Sequence, residues 1–350
     1  MSETIPGIQS DPTRQNILAD WRLRALRMEE EIGKAIIGQE RAIRLINVAV
    51  FARGHVLLEG DVGVGKTTLL RAVARAIGGA YQRIEGTIDL MPSDLIYYTF
   101  IGEDGRPRVE PGPLLKSGES LSTFFFNEVN RSRPQVHSLL LRVMAERSIT
   151  AFNREYRFPH LQVFADRNRI EKEETFELPS AARDRFLMEI PVEASDDRIT
   201  QKALMFETRF HDVDTLIEQC AAGVFPYDEL NDVSALINDS VQATETLKDY
   251  ALDLCEATRK PVRFGIHLTQ GDVAELIQAG ISPRGMSMLM RAARINAWLE
   301  DRENLVPEDF HQVFVETAAH RVFLKPVYEL RRPEVIKELF TQILAHVSAP

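Results

Sequence analysis

The segment GDVGVGKT at residues 60–67 constrains this chain more than any other. It fits G-x-x-x-x-G-K-[ST], with Gly60, Gly65, Lys66 and Thr67 at the specified places. The run HVLLE (55–59) before it reads as a strand, and Leu69, Val73 and Ile77 behind it recur every fourth residue, as on one face of a helix. Strand, glycine loop and helix in that order make a phosphate cradle. Glycines let backbone N–H groups turn inward, the helix N-terminus adds partial positive charge, and Lys66 supplies a full one. The expected ligand is ATP with Mg2+, held by Gly60, Asp61, Val62, Gly63, Val64, Gly65, Lys66, Thr67 and Thr68, with the Thr67 hydroxyl on the metal.

The β-rich runs 55–59, STFFF (122–126) and LQVFA (161–165) alternate with helical stretches from about Thr67 and around 136–145. Strands alternating with helices predict a parallel sheet covered on both faces. From about Ser195 the pattern turns almost wholly helical, with Leu252, Leu276, Leu289 and Phe310 in amphipathic segments. The expected architecture is an α/β P-loop domain over residues 1–200 and a smaller all-α domain over 201–350. Two stretches interrupt it. Residues 91–113 hold Pro92, Gly102, Gly105, Pro107, Pro111, Gly112 and Pro113, which reads as an inserted loop with exposed Tyr97, Tyr98 and Phe100. In residues 149–158, β-favouring residues flank Asn153, Arg154 and Glu155 and predict a hairpin.

Phosphoryl-transfer ATPases with such a loop usually place an acidic pair at the end of a second buried strand: an Asp for the magnesium shell and a Glu to activate water. Here Phe124, Phe125 and Phe126 lead into Asn127 and Glu128. Glu128 stands where a general base would polarise water against the terminal phosphate. Asn127 nearly matches Asp in shape but is neutral, so it offers a hydrogen bond to the magnesium shell without charge. Weakened hydrolysis or lowered magnesium affinity follows as an expectation.

The formal charge of -10 and pI near 5.4 set the surface field against phosphate backbones, so nucleic acid is not an expected partner. No segment approaches the roughly 18 apolar residues that span a bilayer, so no membrane insertion is expected and the cytoplasm is the expected location. Cys220 and Cys255 fit no metal spacing and read as buried hydrophobes.

Several further motifs together resemble the MoxR family of AAA+ ATPases over about residues 32–325. They are Ile37-Gly38-Gln39, MPSDL (91–95), GPLL (112–115), NEVNR (127–131), ADRN (165–168), ELPSAARDRF (177–186) and GISPR (280–284). The resemblance implies an AAA+ core followed by a helical lid. It implies that Gly38 and Gln39 border the adenine and that Asn168 is the sensor holding attacking water. It also implies that Arg185 is an arginine finger reaching the neighbouring subunit's site, and that Arg284 is a second sensor of nucleotide from the lid. A residue acting in trans requires an oligomer, and the family's form is a homo-oligomeric, hexameric ring. Placement of Arg284 has support of its own, since Ser282 is a good N-cap and Pro283 a good first helical residue. Met286, Leu289, Met290 and Ala293 would then share one helix face.

The resemblance further implies a chaperone-like remodeller acting on client proteins, with partners carrying von Willebrand factor A domains and methanol dehydrogenase as a candidate client. In that setting the insert and the hairpin would face the ring's axis or one of its faces. Two departures stand out: Asn127 where the family has Asp, and Asp166-Arg167-Asn168-Arg169 where it has Thr-Gln-Asn-Pro. The extra arginines would be contacts across a subunit boundary or plain surface. A nucleotide-dependent scaffold with weak hydrolysis is the alternative that Asn127 raises. A nucleic-acid motor or transcription activator is disfavoured by the acidic balance and by the lack of a Gly-Ala-Phe-Thr-Gly-Ala loop.

Overall fold

The structure, a computed structural model, describes residues 12–168, 176–269, 271 and 273–350. Arg169 lies outside the described residues. Two helices come first, α1 (Pro12–Ala35) and α2 (Glu40–Phe51). There follow β1 (His55–Glu59), α3 (Lys66–Ile77), β2 (Ala80–Glu85), α4 (Pro92–Ile96), β3 (Tyr97–Ile101), β4 (Pro107–Pro111) and β5 (Leu121–Asn127). Then come α5 (Pro134–Glu146), β6 (Ser148–Ala151), β7 (Arg154–Arg157), β8 (Gln162–Arg167), α6 (Ser180–Arg183) and β9 (Phe186–Pro191).

Five strands form one parallel sheet in the order β2-β5-β8-β1-β9. Successive side chains alternate between its faces. Val56, Leu58, Phe125 and Phe164 join the core that holds Leu69 and Val73 of α3, while Leu57, Phe124, Phe126 and Val163 join Val136, Leu140 and Val143 of α5 on the other side. Burying each of Phe124, Phe125 and Phe126 contributes roughly 1.5–3 kcal/mol. By the same alternation, Asn127 and Asp166 lie on the face of Phe125 and Phe164, toward α3.

The stretch 91–113 is more ordered than an inserted loop. Asp94 closes a first turn by accepting from Met91 N at 2.8 Å, and β3 and β4 then pair antiparallel. The breakers fall at the ends of short elements, where they do no harm, and Leu95 and Leu114 anchor the base in the core. Tyr98, Phe100 and Ile101 remain exposed. The expected hairpin forms as β6 and β7, turning through Phe152 and Asn153 at φ 51° and 58°, the left-handed pair that a two-residue hairpin turn requires. Phe152 packs on Tyr97 at a ring separation of 5.4 Å and so joins the two hairpins.

Beyond residue 197 lie α7 (Arg198–Phe206), α8 (Val213–Glu218), α9 (Leu230–Ser240), α10 (Glu245–Ala257), α11 (Val273–Leu276), α12 (Pro283–Leu299), α13 (Pro307–Ala318) and α14 (Arg332–His346). This part is helical as expected, with one small addition. β10 (Ile277–Ala279) pairs antiparallel with β11 (Phe323–Leu324), strands too short to leave a periodic signal. Leu252 is exposed, because the buried stripe of α10 is Leu247, Tyr250, Ala251 and Leu254. Cys220 and Cys255 are buried thiols. α13 packs on β9 and α12 on α2, so these helices stack behind the β9 edge of the sheet. No helix among the described residues is long and apolar enough to cross a membrane.

His55, at the start of β1, gives a pH signature. It is buried, its Nδ1 accepts from Val163 N at 2.9 Å, and its Nε2 therefore donates to Met144 O at 3.1 Å. Burial, reinforced by the charges of Arg147, Arg53 and Arg291, pushes its pKa down to about 3. Between the ordinary value of about 6.5 and that folded value, the unfolded chain binds one more proton, so stability falls with acidification by about 1.4 kcal/mol per pH unit. In His55→Asn, urea unfolding at pH 5.5 and 4.5 should differ by about that much less than in the parent. An unchanged difference would refute a neutral, buried His55.

Candidate functional site

The loop after β1 is built for an anion. A Cβ on Gly60 would stand 2.1 Å from Val192 O, so only glycine passes there. Gly63 and Gly65 have φ of 82° and 90°, with open space where a side chain would stand. α3 then begins at Gly65 without any side-chain cap, leaving its first N–H groups facing the cradle. Lys66 is 7% exposed and folds back over the loop, donating to Gly60 O (2.6 Å), Asp61 O (3.0 Å) and Asn168 Oδ1 (2.6 Å). Val62 is exposed, Val64 packs against the core, and Thr67 and Thr68 are half-buried in the first turn of α3.

The ends of β5 and β8 face this loop. Asn168 directly follows β8 and bridges two groups, since its Nδ2 donates to Glu128 Oε1 at 3.2 Å while its Oδ1 accepts from Lys66. Glu128 has a left-handed backbone, φ 51°, a strained conformation for a side-chain-bearing residue. It is held there by Asp166 Oδ1, which accepts its N–H at 2.5 Å, and its Oε2 pairs with Arg131 at 2.8 Å.

Asn127, expected beside the metal, is hydrogen-bonded to its neighbours in the sheet. Its hydrogen-bonding surroundings set its amide nitrogen donating to Asp166 Oδ1 (3.2 Å) and its oxygen accepting from Arg83 (3.2 Å). Asp166 Oδ2 lies 3.8 Å from Lys66 Nζ. Burial pushes the Asp166 carboxyl up to about 6, against the pull of the Glu128 N–H and Lys66. Sequence reasoning passed over Asp166 as a site residue, although a signal existed: the apolar runs of β5 and β8 are each followed by a polar residue, Asn127 and Asp166, and of these two only Asp166 is acidic.

Arg167 is engaged within its own chain. It reaches across β1 to pair with Glu59 (3.0 Å) and Glu189 (2.9 Å), tying three strands together just below the loop. Gly38 and Gln39 line a cleft of about 240 Å³ with Pro191, Glu193 and Ser195, and the Gln39 amide donates to Glu193 O. Val192 N donates to Glu59 O, which sets that cleft against the start of the phosphate loop.

The two arginines lie elsewhere. Phe186 pairs with His55 and Pro191 with Glu59, so Arg185, preceding β9, stands at the opposite end of the sheet from Gly60, roughly 15 Å along the strands. Its guanidinium donates to Ala181 O at 2.7 Å, and among the described residues it has no ion pair. α12 begins as the sequence suggested, with Ser282 Oγ accepting from Gly285 N at 3.0 Å. Arg284, however, pairs with Asp184 at 2.9 Å, beside Arg185 and away from its own loop. The cause is the stacking of the C-terminal helices behind β9 instead of over the cradle. Asp184 also accepts from Ser282 Oγ (2.6 Å) and from the buried Arg321 (3.2 Å). Sequence reasoning missed both Asp184 and Arg321, whose meaning depends on long-range packing.

The residues fit a magnesium nucleotide. The cradle has room and donors for phosphate, and the nearby hydroxyl and carboxylate oxygens are the hard donors that Mg2+ takes.

Comparison with known proteins agrees with this geometry. The profile of the ATPase family associated with various cellular activities (AAA) matches residues 55–188, and that of the AAA lid domain matches 270–346. The chain is 59% identical to a protein named MoxR from Methylorubrum extorquens, covering 95% of this chain and 97% of that one. It is 55% identical to a protein of the same name from Paracoccus denitrificans, over 95% and 98%. To the chaperone MoxR1 of Mycobacterium tuberculosis it is 31% identical, over 91% and 81%. A crystal structure of a proposed ATPase from Cytophaga hutchinsonii superposes with a TM-score of 0.80 at 27% identity, covering 97% of this chain and 98% of that one.

Proposed function

The chain belongs to the MoxR family of AAA+ ATPases, and from that premise we propose that it is an ATP-hydrolysing chaperone whose active sites are shared between neighbouring subunits of a homo-oligomeric ring. One observation carries this reading: the phosphate cradle and the pair Arg185 and Arg284 lie at opposite ends of one parallel sheet. Neither arginine can serve its own chain's cradle. In a head-to-tail ring each subunit presents its arginine end to the next subunit's cradle. A hexamer is the ring size that the family's form supports.

In this reading the loop and Lys66 bind the phosphates, and the cleft at Gly38 and Gln39 receives the adenine. Lys66 would leave the carbonyls of Gly60 and Asp61 for phosphate oxygens. Glu128 takes the proton of the attacking water, and Asn168 holds that water between Glu128 and Lys66. Magnesium, bound through the phosphates and Thr67, would neutralise charge on the leaving oxygens. Arg185 from the neighbour meets the charge that builds on the transferred group, with Arg284 beside it. The exposed hairpins, with Tyr98, Phe100 and Ile101 at the surface, are where we place client contact. The family resemblance extends this reading to partners with von Willebrand factor A domains and to methanol dehydrogenase maturation.

Asn127 favours a second reading, a nucleotide-dependent scaffold with little turnover. Steady-state phosphate release in excess Mg2+ decides between them. Chaperone function predicts turnover that falls about a hundredfold or more in Glu128→Gln. The same variant should retain ATP and hold a client in pull-down. Turnover absent from the parent chain, or unchanged in Glu128→Gln, would favour the scaffold.

A further inference from the structure

We propose that the acidic group of the magnesium site has moved one strand over, from β5 to β8, so that Asp166 takes the place that Asn127 leaves neutral. The inference rests on the nucleotide reading above. Phe126 pairs with Ala165, which makes Asn127 and Asp166 cross-strand neighbours at the same level of the sheet. Both face α3. The Asn127 amide is oriented by its neighbours, donating to Asp166 and accepting from Arg83, and it carries no charge to offer a cation. Asp166 is only 2% exposed, yet one oxygen lies 3.8 Å from the phosphate-loop lysine.

A buried carboxylate is costly unless it is paired or coordinates a cation. At 3.8 Å from an ammonium that already donates to Gly60 O, Asp61 O and Asn168, Asp166 has a weak ion pair for so complete a burial. Oδ1 carries the structural duties, accepting from Glu128 N and from the Asn127 amide. Oδ2 is the oxygen turned toward the loop. The carboxylate and the catalytic Glu128 are thereby linked through one backbone hydrogen bond, so metal position and base position are set together. Arg83 balances the charge from β2, over the ring of Phe125 at 5.6 Å.

The test uses binding, not turnover. Affinity for the non-hydrolysable analogue AMP-PNP is measured by calorimetry in Mg2+ and in EDTA, with Mn2+ uptake followed by paramagnetic resonance. Asp166→Asn keeps shape and the hydrogen bond to Glu128 N, so it should fold. It should bind AMP-PNP in EDTA as well as the parent or better, because a negative charge near the phosphates is gone, and lose about tenfold or more of the gain that Mg2+ brings. Asn127→Ala should keep the gain. The exchange variant Asn127→Asp with Asp166→Asn should recover most of it, an outcome a merely structural Asp166 would not give. An undiminished magnesium gain in Asp166→Asn, an equal loss of affinity in EDTA, or a lost gain in Asn127→Ala would overturn the assignment while leaving the nucleotide reading standing. Absence of AMP-PNP binding by the parent chain in both buffers would overturn the reading and the assignment together.

Discussion

Replacing Arg185 by alanine is expected to lower ATP turnover about a thousandfold or more while leaving nucleotide affinity within about twofold of the parent. The asymmetry follows from position. Arg185 stands at the far end of the sheet from its own Gly60 and pairs with no carboxylate among the described residues. Its removal therefore takes nothing from the cradle that binds nucleotide in the same chain. It removes a guanidinium that the neighbour needs only as charge builds in transfer, where each 1.4 kcal/mol is about a tenfold change in rate. Arg185→Lys should recover little, since a point charge lacks the planar fork. Phosphate release and fluorescent-nucleotide binding on the same preparation check both halves. Normal hydrolysis by Arg185→Ala would remove the finger assignment.

The largest effect on stability is expected at Arg321. It is 1% exposed and donates to Asp184 Oδ1 (3.2 Å), Asp184 O (3.1 Å), Leu187 O (3.2 Å) and the carbonyls of Phe186 and Thr317. Burial lowers its pKa to about 10, with Asp184 opposing that shift, so it is charged at neutral pH. Truncation to alanine strands a carboxylate and several carbonyls in the joint between β9 and the C-terminal helices, a loss of about 3–5 kcal/mol. Arg321→Lys keeps the charge but not the fan of donors, so most of the loss should remain. Denaturant unfolding of the two variants measures it. Because Asp184 also holds Arg284 and adjoins Arg185, the milder lysine variant should show weakened turnover as well. A lysine variant as stable as the parent would show that the joint does not depend on these bonds.

The parts of this molecule legible in its sequence are those fixed by local rules. The cradle at residues 60–67 declares itself through glycines at fixed spacing and a helix stripe of Leu69, Val73 and Ile77. Ser282 and Pro283 start α12 where capping chemistry says they should. β2 and β9 were harder to read: AYQRIE is mostly half-exposed at a sheet edge, and FLMEIP directly follows a helical turn, so neither alternates cleanly. β10 and β11 are too short to be seen at all.

In the site, Lys66, Asn168 and Glu128 come together as their motifs implied. What the motifs hid was tertiary. The tetrad beginning at Asp166 looked like a corruption of a sensor motif with surplus positive charge. Folded, Asp166 faces Lys66 while Arg167 points to the opposite side of the sheet and is neutralised by Glu59 and Glu189. Strand alternation separates the two, and only the register of β8 against β1 and β5 reveals it. The pairing of Arg284 with Asp184 was hidden for a related reason, because no local pattern states where the C-terminal helices dock.

The central claim is that each site is completed by the next subunit, and subunit mixing tests it most directly. Arg185→Ala retains a competent cradle and Lys66→Ala retains a competent arginine. Each alone should hydrolyse ATP at about a thousandth of the parent rate or less. Mixed in equal amounts and allowed to exchange, they should recover a substantial fraction of parent phosphate release, since some interfaces then join an intact cradle to an intact Arg185. Mixed rings that form but release no more phosphate than either variant alone would contradict a site shared between subunits.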